Sequence, residues 1–145
     1  MELEQKPSIH TTRIYTVKSY RSAEDTYNRL VNILHEKKIP IRASFDFSKW
    51  AQEEGEFIRF SRVIFFGTAE RGRKLIQKNQ LFGLCLPCRI LVWEDENRDV
   101  FLSFVNLDNL AGSLGIEEAG IVRSLQKNME NFVNRACGKP RPKVF

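Results

Sequence analysis

Two short stretches of this chain place reactive or ligand-binding side chains at spacings that established chemistry uses. The first is Cys85-Leu86-Pro87-Cys88. A C-x-x-C pair exchanges thiols for a disulfide when its first cysteine sits at a helix N-terminus, where the dipole favours the thiolate. Here the pair leads into an alternating apolar segment and so runs into a strand, with Arg89 as the adjacent cation. The pair therefore reads first as a structural turn, with thiol redox or metal binding through Cys85 and Cys88 as the alternative. A zinc site needs two further ligands; Cys137, His10 and His35 are what remains, with His10 in the leading segment and His35 on a helix. No metal, cofactor or catalytic residue is assigned.

The second stretch, Gly67-Thr68-Ala69-Glu70-Arg71-Gly72-Arg73-Lys74, spaces two glycines as a P-loop does. Arg73 stands at the loop lysine position, Lys74 replaces the magnesium-binding hydroxyl, and Glu70 would repel phosphate, which argues against an NTPase. What survives is an anion site: a strand ends in glycine, Thr68 caps a helix, and its first turn is basic, so free N–H groups and the dipole point one way. With the turn Gly83 to Pro87 alongside, the candidate ligand-binding residues are Gly67, Thr68, Arg71, Arg73, Lys74, Gly83 and Pro87. The plainer reading is a strand-to-helix turn with a solvated basic face.

The elements that must position these turns follow from periodicity. Val63 to Phe66 is an unbroken apolar run, which predicts a central strand covered on both faces. Residues 69–80 predict a short helix anchored by Leu75 and Ile76. Cys88 to Trp93 and Val100 to Val105 alternate on either side of a charged connector and predict an antiparallel hairpin. Upstream, residues 13–19 predict a first strand, and Ser22 caps a helix to about Lys37 with Asp25 at its third position. Ile39, Ile41, Ala43, Phe45 and Phe47 alternate with polar residues, which predicts a strand with one buried face. Residues 49–56 predict a short helix or turn anchored by Trp50. Asp108 to Leu114 predicts a helix closed by Gly115, and residues 117–136 predict a final amphipathic helix. The fold class is thus α+β, a two-layer sandwich with a mainly antiparallel sheet and helices packed on one face, in the order β-α-β-β-α-β-β-α-α.

One domain is expected for 145 residues: a flexible leader over 1–12, the domain over 13–137, and a basic Pro-containing tail over 138–145. A hydrophobic share of 42% and a charged share of 28% suit an ordinary globular chain. No segment is long and apolar enough for a bilayer and no signal peptide is evident, so no membrane partner is expected and the cytoplasm is the default. Three cysteines fit a reducing compartment. The net charge of +5 owes part to Lys139, Arg141 and Lys143 in the tail. Stacking of nucleic acid on sheet aromatics is disfavoured, because the wet face of the 39–48 strand carries Ser44 and Asp46 with Arg42 as its base.

The ordered set Ser22-x-x-x-Thr26-x-x-x-Leu30, Phe66-Gly67, Gly83-Leu84-x-Leu86-Pro87 before Ile90-x-Val92-Trp93, and Asn106-x-x-x-Leu110-Ala111 resembles the bacterial family catalogued as domain of unknown function 302. The resemblance spans residues 13 to 136. It implies a compact α+β domain that forms a homodimer and has no established activity. The family's Asn-Pro after the strand glycine is Thr68-Ala69 here, its Asp-His is Asp46-Phe47, and its turn Asp is Cys85; a catalytic role tied to those groups does not carry over. The expectation is a non-catalytic cytoplasmic domain, dimeric, that binds a small anionic or amphipathic ligand, with the redox and nucleic-acid readings as alternatives.

Overall fold

Along one side of the last helix, Val122, Met129, Phe132, Val133 and Ala136 are all buried, and this stripe is the lid of the core. The computed structural model describes residues 13–116 and 119–140; the expectations placed on residues 1–12, 117–118 and 141–145 lie outside that range. In chain order the elements are β1 (Ile14–Ser19), α1 (Ala23–Glu36), β2 (Ile41–Asp46), α2 (Phe47–Glu53), β3 (Ser61–Phe66), α3 (Ala69–Lys78), a 3-10 turn (Gln80–Leu84), β4 (Cys88–Glu94), β5 (Val100–Val105), α4 (Leu107–Ser113) and α5 (Ala119–Ala136). The strands form one sheet in the order β1-β5-β4-β3-β2, antiparallel throughout. Helices α1 and α5 pack together and close the core over one face of that sheet. The predicted two-layer α+β architecture is therefore the one observed.

Leu30, Leu34, Ile64, Ile90, Val92 and Leu102 are fully enclosed between the layers, each contributing about 1.5–3 kcal/mol of apolar transfer. Ser22 accepts from the Asp25 N–H and caps α1 as its spacing predicts. The buried Thr26 hydroxyl donates to the Ser22 carbonyl and lies 2.6 Å from the Ser19 hydroxyl, joining β1 to α1.

Three features differ from the sequence reading. The alternation over 39–48 is broken by a bulge between Ile41 and Ala43. Ile41 faces the helical layer opposite Phe66, while Ala43 and Phe45 pair with Phe65 and Val63 on the other face. A bulge adds one residue and so exchanges the faces of everything after it. Phe45 is consequently exposed and rests edge-on against Trp50 and Phe65. Second, β2 ends earlier than predicted, because the Asp46 carboxylate accepts from the Lys49 N–H and starts α2 at Phe47. Third, β3 is an interior strand, but β4 is the middle one. Its apolar run is continuous because Ile64 and Phe66 join the core under α1 and α5, whereas Val63 and Phe65 belong to the opposite face, where α2 packs on β3 and Trp50 meets Phe45.

Asp46 also holds Arg62. Its carboxylate accepts from the Arg62 guanidinium at 3.0 Å and from the Ser48 hydroxyl at 2.6 Å. Arg62 is bridged to Glu24 of α1 and lies over the rings of Tyr27 and Phe60. Burial pushes the Asp46 carboxyl up, but the Ser48 hydroxyl, the Lys49 N–H and the Arg62 guanidinium together hold it below the usual carboxylate range. A depressed carboxylate stabilises the fold above its unfolded pKa, near about 4, and loses that contribution as pH falls through the folded value. Asp46→Asn is expected to be about 1 kcal/mol less stable than wild type at neutral pH. The gap should close in urea melts below about pH 4; a gap that persists there would show that charge is not its source.

Candidate functional site

Antiparallel pairing brings the two candidate turns together. Phe66, the last residue of β3, lies opposite Cys88, the first of β4. Gly67 and the segment before Cys88 therefore leave the sheet side by side. Gly67 has a φ of +149°, a backbone that side-chain-bearing residues rarely adopt. The Thr68 hydroxyl then accepts from the Arg71 N–H at 3.4 Å and caps α3.

Between these turns and α5 lies a hollow of about 490 Å³. Gly67, Thr68, Arg71, Arg73, Gly83 and Pro87 all line it, as the sequence reading groups them. Lys74 does not. It pairs with Glu70 at 3.5 Å and lies on the other side of α3, beside Ile121 and Ser124. Ala69, Arg71, Gly72, Arg73 and Ile76 of α3 all line the hollow, so Lys74 is set apart by its pairing with Glu70 and not by helical period alone.

The sequence reading missed the rest of the wall: Ile39, Arg42, Leu125, Asn128, Met129 and Phe132. Arg42 donates from Nε to the Gly67 carbonyl at 3.1 Å, and Arg71 donates to the Ser124 hydroxyl at 3.1 Å. Arg73 donates to Gln77 along its own helix. Three arginines thus line a space that Phe66, Leu86, Leu125, Met129 and Phe132 also wall, with the Arg71 guanidinium turned toward Ser124. Arginine side chains supply charged donors for an anion, and apolar walls suit an apolar body.

Cys88 is buried, and burial pushes its thiol up to about 11 even though Arg71 and Arg89 pull the other way. Burial raises the Cys85 thiol as well, against the pull of Arg89. Cys85 follows the 3-10 turn and Cys88 opens β4, so neither stands at the start of a helix and the feature that activates a redox C-x-x-C is missing. No three of His, Cys, Asp and Glu converge among the described residues. At pH 7 the Cys88 thiol is therefore held in its protonated, unreactive form. Iodoacetamide followed by mass spectrometry is expected to leave Cys88 unmodified in the native protein and to label it readily in urea. Equal labelling in both states would restore the redox reading.

A second hollow of about 370 Å³ lies under α4 and the 3-10 turn, and Cys88 and Met129 line it as well as the first. The Gln126 side chain fixes α4 above it by accepting from the buried Leu107 N–H at 2.8 Å.

The profile of one protein family, described as a domain of unknown function, DUF302, matches residues 15–136. A crystal structure of an uncharacterised conserved DUF302 protein from Bacillus stearothermophilus has the same fold, with a TM-score of 0.77 at 20% identity over 86% of this chain and 98% of that one. Two polypeptides named fluoride-specific ion channel FluC 1, from Brucella suis biovar 1 and Brucella abortus biovar 1, are each 30% identical over 133 residues. The match takes in 90% of this chain but 52% and 49% of theirs, so the chain spans about half the length of the curated relatives it matches. No helix among the described residues is long and apolar enough to cross a membrane.

Proposed function

Because the chain belongs to the family of domains of unknown function called DUF302, a kinship that specifies a fold and no activity, we propose that it is a non-catalytic binding domain for a small anionic or amphipathic ligand. The observation that carries this reading is the apolar hollow between the 67–74 and 83–87 turns with Arg42, Arg71 and Arg73 around it. Guanidinium groups stay charged at any physiological pH, and the thiol at the wall is held protonated. Such a lining binds and orients, and offers no group that would take up a proton at neutral pH.

The proposal includes a homodimer in the cytoplasm. The sheet face away from α1 and α5, where Phe45 and the α2 residue Trp50 are exposed and Phe65 and Trp93 are half-buried, is the apolar surface a second copy would bury. Three unpaired thiols suit a reducing compartment. The match to half of polypeptides named as fluoride channels, with no described helix able to cross a membrane, favours a role beside such a channel over conduction by this domain.

A thermal-shift screen of matched amphiphiles tests the reading. At a hundred times its Kd a ligand adds about 2.7 kcal/mol, which should raise Tm by roughly 5–10 °C. Decanoate is expected to do so and decanol to do so less. No shift with any anionic amphiphile would overturn the assignment.

A further inference from the structure

The two hollows meet at a wall that can move. Met129 is 2% exposed and borders both spaces, and an unbranched thioether side chain can change rotamer without moving the backbone. Charge is shared unequally between the spaces: three arginines line the first, while the second has Arg89 as its one cation and is otherwise lined mainly by leucines of the 3-10 turn and α4. Leu81 and Leu84 on its rim are 50% and 77% exposed, so apolar surface is left in solvent there. A compact ligand would use the first space alone. A thread-like one, with its anionic end at the arginines, can push Met129 aside and gain the second.

Building on the binding reading above, we infer that the ligand is a long, unbranched alkyl anion of the fatty carboxylate class, whose tail displaces Met129 and enters the hollow beneath α4. The charge complement selects the head and the two-chambered shape selects the tail. Each methylene that leaves water tightens binding about fourfold, so affinity should keep climbing after the first hollow is full.

The test is a titration of the full chain with straight-chain carboxylates from hexanoate to hexadecanoate, each below its micelle concentration, followed by calorimetry. Wild type is expected to gain affinity across the series. Leu110→Trp, which fills the second hollow from α4, should bind the short members as wild type does and gain nothing from the longer ones. Leu114→Trp on the same wall gives the same readout if the first variant does not fold. A wild-type series that levels off early, or variants that climb in parallel with wild type, would overturn the two-chamber inference and leave the binding reading standing. Failure of every chain length to bind would remove both. Retention on phosphatidylglycerol vesicles without binding of any free carboxylate would assign the apolar rim to a lipid surface and overturn the inference.

Discussion

A chain carrying Arg42→Ala together with Arg71→Ala is expected to bind decanoate about a hundredfold more weakly than wild type, with its Tm almost unchanged. Each arginine can give a charged hydrogen bond worth about 1.5–3 kcal/mol to a carboxylate, so losing both at the lower value, about 3 kcal/mol, costs roughly a hundredfold in affinity. Neither side chain holds the core. Arg42 is exposed and donates to one carbonyl, and Arg71 donates to the hydroxyl of Ser124, contacts that cost little to lose. Lys74→Ala is the matched control, because Lys74 is a cation of the same helix that pairs with Glu70 and stays outside the hollow. It should leave affinity within about twofold of wild type, the screened contribution of a distant surface charge. Decanol should bind the double variant as it binds wild type. If decanoate and decanol weaken together, the arginines shape the hollow without recognising charge. If Lys74→Ala costs as much as the double change, attraction is a property of the whole basic surface and not of this site.

The contrast between Arg71 and Lys74 also shows what the sequence could supply. Gly67, Thr68 and the basic turn have local signatures: a glycine ending an apolar run, a hydroxyl at a cap, cations after it. Pro87 before an alternating strand has one too. Their meeting follows from the β3-β4 antiparallel pair, in which the end of one strand must face the start of the next. The far wall has no such signature. Leu125, Met129 and Phe132 lie on an apolar helical stripe that is indistinguishable, by periodicity, from core. Arg42 is legible only once β2 is known to pair with β3 and so to reach Gly67. The bulge after Ile41 leaves no mark in the sequence, because the apolar alternation of residues 39 to 47 runs through it unbroken. That is why Phe45 reads as core and is found on the open face.

Phe132→Ala is expected to lower stability by about 3–5 kcal/mol and Tm by roughly 10 °C, and to do so in a way that a small apolar ligand repairs. Phe132 is buried on α5 and meets Phe66 of β3 edge-on, with ring centroids 5.9 Å apart. It also lines the first hollow. Removing the ring therefore takes away a contact between the layers and enlarges a space that already opens to solvent. Leu30→Ala removes a fully enclosed side chain at a site that lines neither hollow, and should cost about 2–5 kcal/mol. The two variants differ in what can fill the vacated volume. Benzene at saturating concentration should return about 2–3 kcal/mol to Phe132→Ala by binding the folded state alone, and should return less to Leu30→Ala, where only the volume of an isopropyl group is vacated. Equal rescue of both variants would mean that the hollow is not connected to the space the ring vacates. Selective rescue would mean that one aromatic side chain both joins helix to sheet and limits the volume of the site, so that this domain could not be given a larger ligand space at that position without losing stability.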